Sequence, residues 1–167
     1  MSNRRKGGRG VLVRNLVGSI VATAACAVLG SIATDPDSMW YRQLDKPSWQ
    51  PPPIAFPVVW TLLYADVAIT SALVLTSLEK QGRHHEAAAY RRALGVNLTL
   101  NAGWCALFFA AHQPTVASVE CAVLAISSAD LARRAGKVHP AARIALAPYA
   151  LWCGFATVLS GTIAARN

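Results

Sequence analysis

Three sets of residues recur at helical spacing and mix aromatic rings with amides. They are Phe56, Trp60 and Tyr64; Asn97, Asn101, Trp104 and Phe108; and Tyr149, Trp152, Ala156 and Leu159. At 100° per residue each set stays within an arc of about 80°, one face of a helix. A lone aromatic stripe is usually packing. Three of them carrying a few polar groups describe a cavity for a flat apolar ligand. Rings of Trp and Tyr gain from offset stacking on such a guest, and an Asn amide can meet a carbonyl or carboxylate.

Other chemistry has thinner support. Asp66 and Glu120 lie inside apolar stretches, where an ionisable group is costly. Each reads either as a neutral, hydrogen-bonded acid between helices or as a group on a watery path. Asp66 is turned about 120° from the Phe56, Trp60, Tyr64 stripe and need not share its site. Cys26, Cys105, Cys121 and Cys153 show no CxxC spacing and read as small buried apolar residues. His84, His85, His112 and His139 are expected in loops, sharing no helical face with another ligand type, so no metal site is predicted. No nucleophile–base pair is evident, and no catalytic residue is assigned.

The elements that must position these residues follow from composition. The chain has 167 residues, 54% of them hydrophobic and 14% charged. Soluble domains carry about 25% charged residues, so this chain cannot wet its own surface. A bilayer crossing needs about 20 mostly apolar residues. Five stretches qualify: Leu16–Ala33, Val58–Leu78, Ala93–Ala111, Pro114–Leu131 and Ile144–Ala165. The predicted fold is an all-α integral membrane bundle of five helices over residues 15–166, preceded by a basic tail at 1–14. Ser31-Ile32-Ala33 has the look of a signal-peptidase site. The apolar run before it exceeds the 7–15 residues of a cleaved signal, so it is kept as a span.

Lys and Arg placement sets the orientation. Thirteen lie in the tail and in the connections after spans two and four; three (Arg42, Lys46, Arg166) lie on the other side. This predicts a cytoplasmic N-terminus and an outer C-terminus. The net charge of +8 then reflects topology and anionic headgroups, and nucleic acid is not an expected partner. Trp40, Tyr41 and Trp49 fall in the first outer connection, suited to the headgroup interface. There, Lys46-Pro47-Ser48-Trp49-Gln50-Pro51-Pro52-Pro53 cannot be helical throughout and should form a stiff cover, with Trp49, Pro51 and Pro52 as lid residues. Small residues recur as Gly18, Ala22, Cys26, Gly30 and as Gly95, Thr99, Gly103. The first ridge suits packing within the chain, and the second is the better dimer face.

At these residues the chain resembles the TspO/MBR family of tryptophan-rich sensory proteins and translocator proteins. The ordered series is Trp40-Tyr41, Leu44-Asp45-Lys46-Pro47-Ser48-Trp49-Gln50-Pro51-Pro52, Phe56-Pro57-Val58-Val59-Trp60-Thr61-Leu62-Leu63-Tyr64, Leu100-Asn101-Ala102-Gly103-Trp104 with Phe108-Phe109, and Pro148-Tyr149-Ala150-Leu151-Trp152. The resemblance implies a five-helix bundle, often dimeric, that binds porphyrins, haem, sterols and isoquinoline-type drugs beneath the first connection. It implies pocket tryptophans at Trp60 and Trp152, a polar contact at Asn101 and pocket walls at Ala156 and Leu159. Ser160 stands where the family usually has Asn, and the end of the last span lacks the Tyr of the animal sterol motif. A reversed sterol pattern (Arg143, Tyr149, Leu151) is present, but tetrapyrrole is the expected ligand.

The expectation is therefore a multi-pass receptor or carrier in a bacterial plasma membrane, binding protoporphyrin IX or haem in porphyrin handling and stress response. No obligatory cofactor is expected. One alternative is a light-dependent porphyrin-degrading enzyme in which Trp60 and Trp152 supply electrons. Another is an ion- or proton-coupled transporter using Asp66 and Glu120, for which no inverted repeat is evident.

Overall fold

A computed structural model describes residues 2–167, with side chains from Gly8 onward. Met1, and the side chains of Arg4, Arg5 and Lys6 in the basic tail, lie outside the described residues. The chain is all-helical, with no strand among the described residues: α1 (Ser2–Ala33), α2 (Met39–Gln43), α3 (Ala55–Lys80), α4 (His84–Cys105, continued as a π-turn over Ala106–Ala110), α5 (Pro114–Gly136) and α6 (Pro140–Arg166). Five of these are long and apolar enough to cross a bilayer, as the sequence predicts.

The helices overrun the predicted spans at the basic end. α3 reaches Lys80 and α4 begins at His84, leaving a turn of three residues around Gly82, whose φ of +73° suits a residue without a Cβ. His84, His85, Arg91 and Arg92 are thus helical and not in a loop. The reason is continuity: once an apolar core has nucleated a helix, polar residues past the bilayer propagate it at little cost. Proline sets the other starts. Pro114 and Pro140 open α5 and α6, where a missing N–H costs nothing. Ser38 caps α2, its Oγ accepting the Tyr41 N–H at 3.3 Å.

The burial pattern is inverted relative to a soluble protein. Leu62, Ile126, Ile144 and Leu151 are each at least 66% exposed, whereas Asn97, Ser71 and Ser128 are fully buried. Lipid covers the outer apolar faces, and polar groups find each other inside. The chain is a multi-pass membrane protein. Its tightest pairing is α5 with α6, while α1 packs on α3 and α4.

Of the small-residue ridges, the first is only partly inward. Cys26 and Gly30 meet α4: the Cys26 Sγ lies 3.3 Å from the Leu98 carbonyl oxygen, and a Cβ on Gly30 would sit 3.3 Å from the Cys105 Sγ. Gly18 faces outward, and the buried row is Asn15, Ser19, Thr23, Cys26 and Gly30. A strict fourfold spacing drifts 40° per step, so the predicted ridge leaves the interface by Gly18. On α4, Gly95 and Thr99 are exposed and Gly103 is half-buried.

At the basic end Glu79 joins three helices. Its carboxylate accepts from Arg14 and Asn15 of α1 and from Arg91 of α4. Asn15 also donates to Thr76 at 3.2 Å. Both arginines are about half or more exposed, so solvent screens the pairs. Glu79→Gln should lower stability by about 1 kcal/mol. Unfolding in SDS should show the gap between variant and wild type narrowing as salt rises; a gap indifferent to salt would mean that charge is not its origin.

Candidate functional site

The aromatic stripes converge at the opposite end of the bundle. On α3 and α6, Trp60 stacks on Tyr64 (centroids 5.4 Å) and meets Trp152 (6.4 Å) and Tyr149 (6.3 Å) edge to face. Phe56, one turn earlier, meets Trp152 at 6.1 Å. On α4, Trp104 stacks on Phe108 at 5.2 Å, and Phe108 is buried with Leu159 of α6. The rings of the predicted stripes thus fall into two adjoining groups. Phe56 bridges them, touching Trp152 on one side and packing with the Phe108 group on the other. Ala156 is half-buried on α6 between Trp152 and Leu159.

A polar network lies beneath the rings. Tyr64 donates to the Asn101 Oδ1 at 2.6 Å, and Asn101 donates through Nδ2 to the Tyr149 hydroxyl at 3.2 Å. Tyr149 donates in turn to the Asn97 Oδ1 at 2.7 Å, and Asn97 donates to Ser127 and Ser128. Asn101 is therefore engaged at both ends. It holds the hydroxyls of Tyr64 and Tyr149. Buried polar groups must pair in this way where no water is available.

The cover over the site is tied down on three sides. Residues 44–54 are non-helical, as the prolines require. Trp49 lies edge-on to Phe155 at 6.0 Å, and Phe155 meets Trp152 at 5.2 Å. Pro51 is half-buried and Pro52 exposed. Lys46 sits 4.3 Å over the Tyr41 ring. At the far edge, the Asp45 backbone and the Asn167 side chain exchange two hydrogen bonds of 2.9 and 3.2 Å.

Trp40 and Tyr41, expected in the first outer connection, lie half-buried on a short helix. They occupy α2 and turn onto the bundle: Trp40 meets Phe108 at 5.6 Å and stacks on His112 at 4.3 Å, and Tyr41 meets Phe109 at 5.3 Å. The π-turn makes this contact. One extra residue in the last turn of α4 re-aims the side chains that follow. Spacing could flag Phe155, three residues after Trp152. Nothing local could flag His112, whose φ of +53° belongs to the α4–α5 turn.

Some polar atoms in this region are left unpaired. The Trp104 Nε1 and the Gln50 Oε1 are buried without a hydrogen-bond partner. Both oxygens of Glu120 are likewise unpaired, and Asp66 accepts from Thr70 through one oxygen only, at 2.9 Å. Asp66 and Glu120 share no hydrogen-bonded partner.

The chain is similar in sequence to several known proteins. The chain is 34% identical to the uncharacterized membrane protein YtaB of Bacillus subtilis over 131 residues, 78% of this chain and 82% of that protein. It is 33% identical to the tryptophan-rich protein TspO of Chlorobaculum tepidum, covering 79% of this chain and 82% of that one. It is 34% identical to the translocator protein of Homo sapiens, covering 72% of this chain and 70% of that one. The TspO/MBR family model matches residues 19–166, which contain all the stripes, the cover and the amide network, and the chain belongs to that family.

Proposed function

We propose that this protein binds a planar tetrapyrrole, protoporphyrin IX or haem, among Trp60, Trp104 and Trp152 beneath the 44–54 cover, and acts as a receptor or carrier in porphyrin handling and stress response. The observation that carries this reading is the convergence of rings from α3, α4 and α6 on one end of the bundle, with the Trp104 Nε1 buried and unpaired among them. Such a donor suits a propionate, which would end its desolvation cost. The rings rest on each other, so a guest enters by parting edge contacts such as Trp60–Trp152 and taking over the ring faces. Stacking area then supplies the affinity at about 25 cal/mol per Å² before ordering costs. Titrating the detergent-solubilised protein with protoporphyrin IX, haem and cholesterol tests this through tryptophan fluorescence. Saturable quenching by the tetrapyrroles is expected; saturation by cholesterol alone would reject the assignment.

Light-dependent porphyrin degradation is a second reading, favoured by the Trp60–Trp152 edge contact at 6.4 Å, which sets two oxidisable rings side by side. Illumination in air should then give saturable loss of porphyrin absorbance that the paired Trp→Phe variants slow at least tenfold. Bleaching equal to that in empty micelles would leave binding as the sole activity. Transport through Asp66 and Glu120 has less support, since the two acids share no partner.

The charge bias supports an N-terminus in the cytoplasm of a bacterial plasma membrane. The open Gly95, Thr99, Gly103 face supports homodimer formation through α4.

A further inference from the structure

At the basic end, where α5 turns into α6, a cleft of about 580 Å³ is lined by Arg133, Gly136, Lys137, Pro140, Arg143 and Ile144. Several cations at this end, Arg133 of the cleft among them, have carboxylate partners. Arg14 and Arg91 are taken by Glu79, Arg83 by Glu86, and Arg133 and Arg134 by Asp130. Lys137 and Arg143 meet no carboxylate within ion-pair distance among the described residues. Glu86, in the first turn of α4, is occupied by a two-pronged pair from Arg83.

Two further features shape this cleft. Gly136 lets the Arg143 stem lie against the α5 backbone, since a Cβ there would stand 2.9 Å from the Arg143 Cβ. The first turn of α6 faces the same cleft through Pro140, and His139 gives it no side-chain cap. Its positive dipole end therefore adds to the two charges.

We propose that the α5–α6 turn binds the phosphate headgroup of an anionic phospholipid, with Lys137 and Arg143 as its cationic ligands. The apolar surface beneath selects a lipid over a free phosphate. Ile144 lines the cleft at 73% exposure, and Leu151 and Val158 continue the same outward row of α6 at 73% and 61%. A headgroup seated on the cations places its acyl chains along that row. Lys80 and Arg92 also lack a carboxylate partner but lie outside this cleft, so they serve as charge-matched controls.

The test is native mass spectrometry of the full chain in detergent, titrated with phosphatidylglycerol or phosphatidylcholine. Wild type should retain phosphatidylglycerol preferentially. K137Q/R143Q should lose about thirty-fold in that retention, from two juxtamembrane charges, while K80Q/R92Q keeps it. No preference in wild type, or equal loss in both double variants, overturns the proposal. Displacement of the lipid by millimolar inorganic phosphate assigns the cleft to a free anion and also overturns it. A photoreactive phosphatidylglycerol read by peptide mapping needs no variant. Attachment at the α5–α6 turn supports the site, and attachment only elsewhere rejects it.

Discussion

Replacing Trp60 and Trp152 together with Ala should weaken protoporphyrin binding by about 100-fold or more. The two rings meet edge to face at 6.4 Å and come from different helices, so they can close on both faces of one flat guest. A Trp buries 150–250 Å² in all. If about 100 Å² of each ring is committed to the guest, the gross loss at 25 cal/mol per Å² is about 5 kcal/mol. Ordering costs that the variant no longer bears return part of it, leaving about 3 kcal/mol, or about 100-fold. Porphyrin absorbance is the proper readout, because the substitutions also remove two fluorophores. Trp60→Phe with Trp152→Phe should keep stacking and lose far less. If the Ala pair binds like wild type, the guest does not lie between these rings.

The second large effect is on stability, at Tyr149. This side chain is fully buried; its hydroxyl donates to Asn97 and accepts from Asn101. Its ring also meets Trp60 at 6.3 Å. Tyr149→Ala leaves a cavity in the middle of α3, α4 and α6 and should cost about 3–5 kcal/mol. Tyr149→Phe keeps the ring and strands one acceptor and one donor, for about 0.6–1.7 kcal/mol in a membrane interior. Unfolding in SDS micelles separates the two. Equal losses would mean that the hydroxyl, and not the packing, holds this crossing. Because Asn101 also holds Tyr64 at 2.6 Å, Tyr149→Phe should further weaken ligand binding, which a purely structural residue remote from the site would not do.

Much of this architecture was legible from residue type and period. Charge is scarce and clustered, so five spans and their order follow from the cost of burying ions in hydrocarbon. The three stripes were legible too, because an inward face repeats every 3.6 residues regardless of what it meets. Prolines announced the non-helical 44–54 cover, since Pro cannot complete an interior helical bond. Helix ends were less legible. His84 and His85 are polar, but they extend a helix that the apolar residues after them already stabilise.

Partner choice was not legible at all. Asn101 has the same local signal whether it faces a ligand or another side chain, and only the approach of α3 and α6 commits it to Tyr64 and Tyr149. Trp40 reads from sequence as a ring of the outer connection, and only the folded chain shows that it meets Phe108 and His112. The one-dimensional pattern by itself determined which residues avoid lipid or water and in what order the helices cross. The tertiary structure decided which of those residues touch, because hydrogen bonds and ring contacts depend on distances of a few ångström between helices remote in the chain, and periodicity carries no information about them.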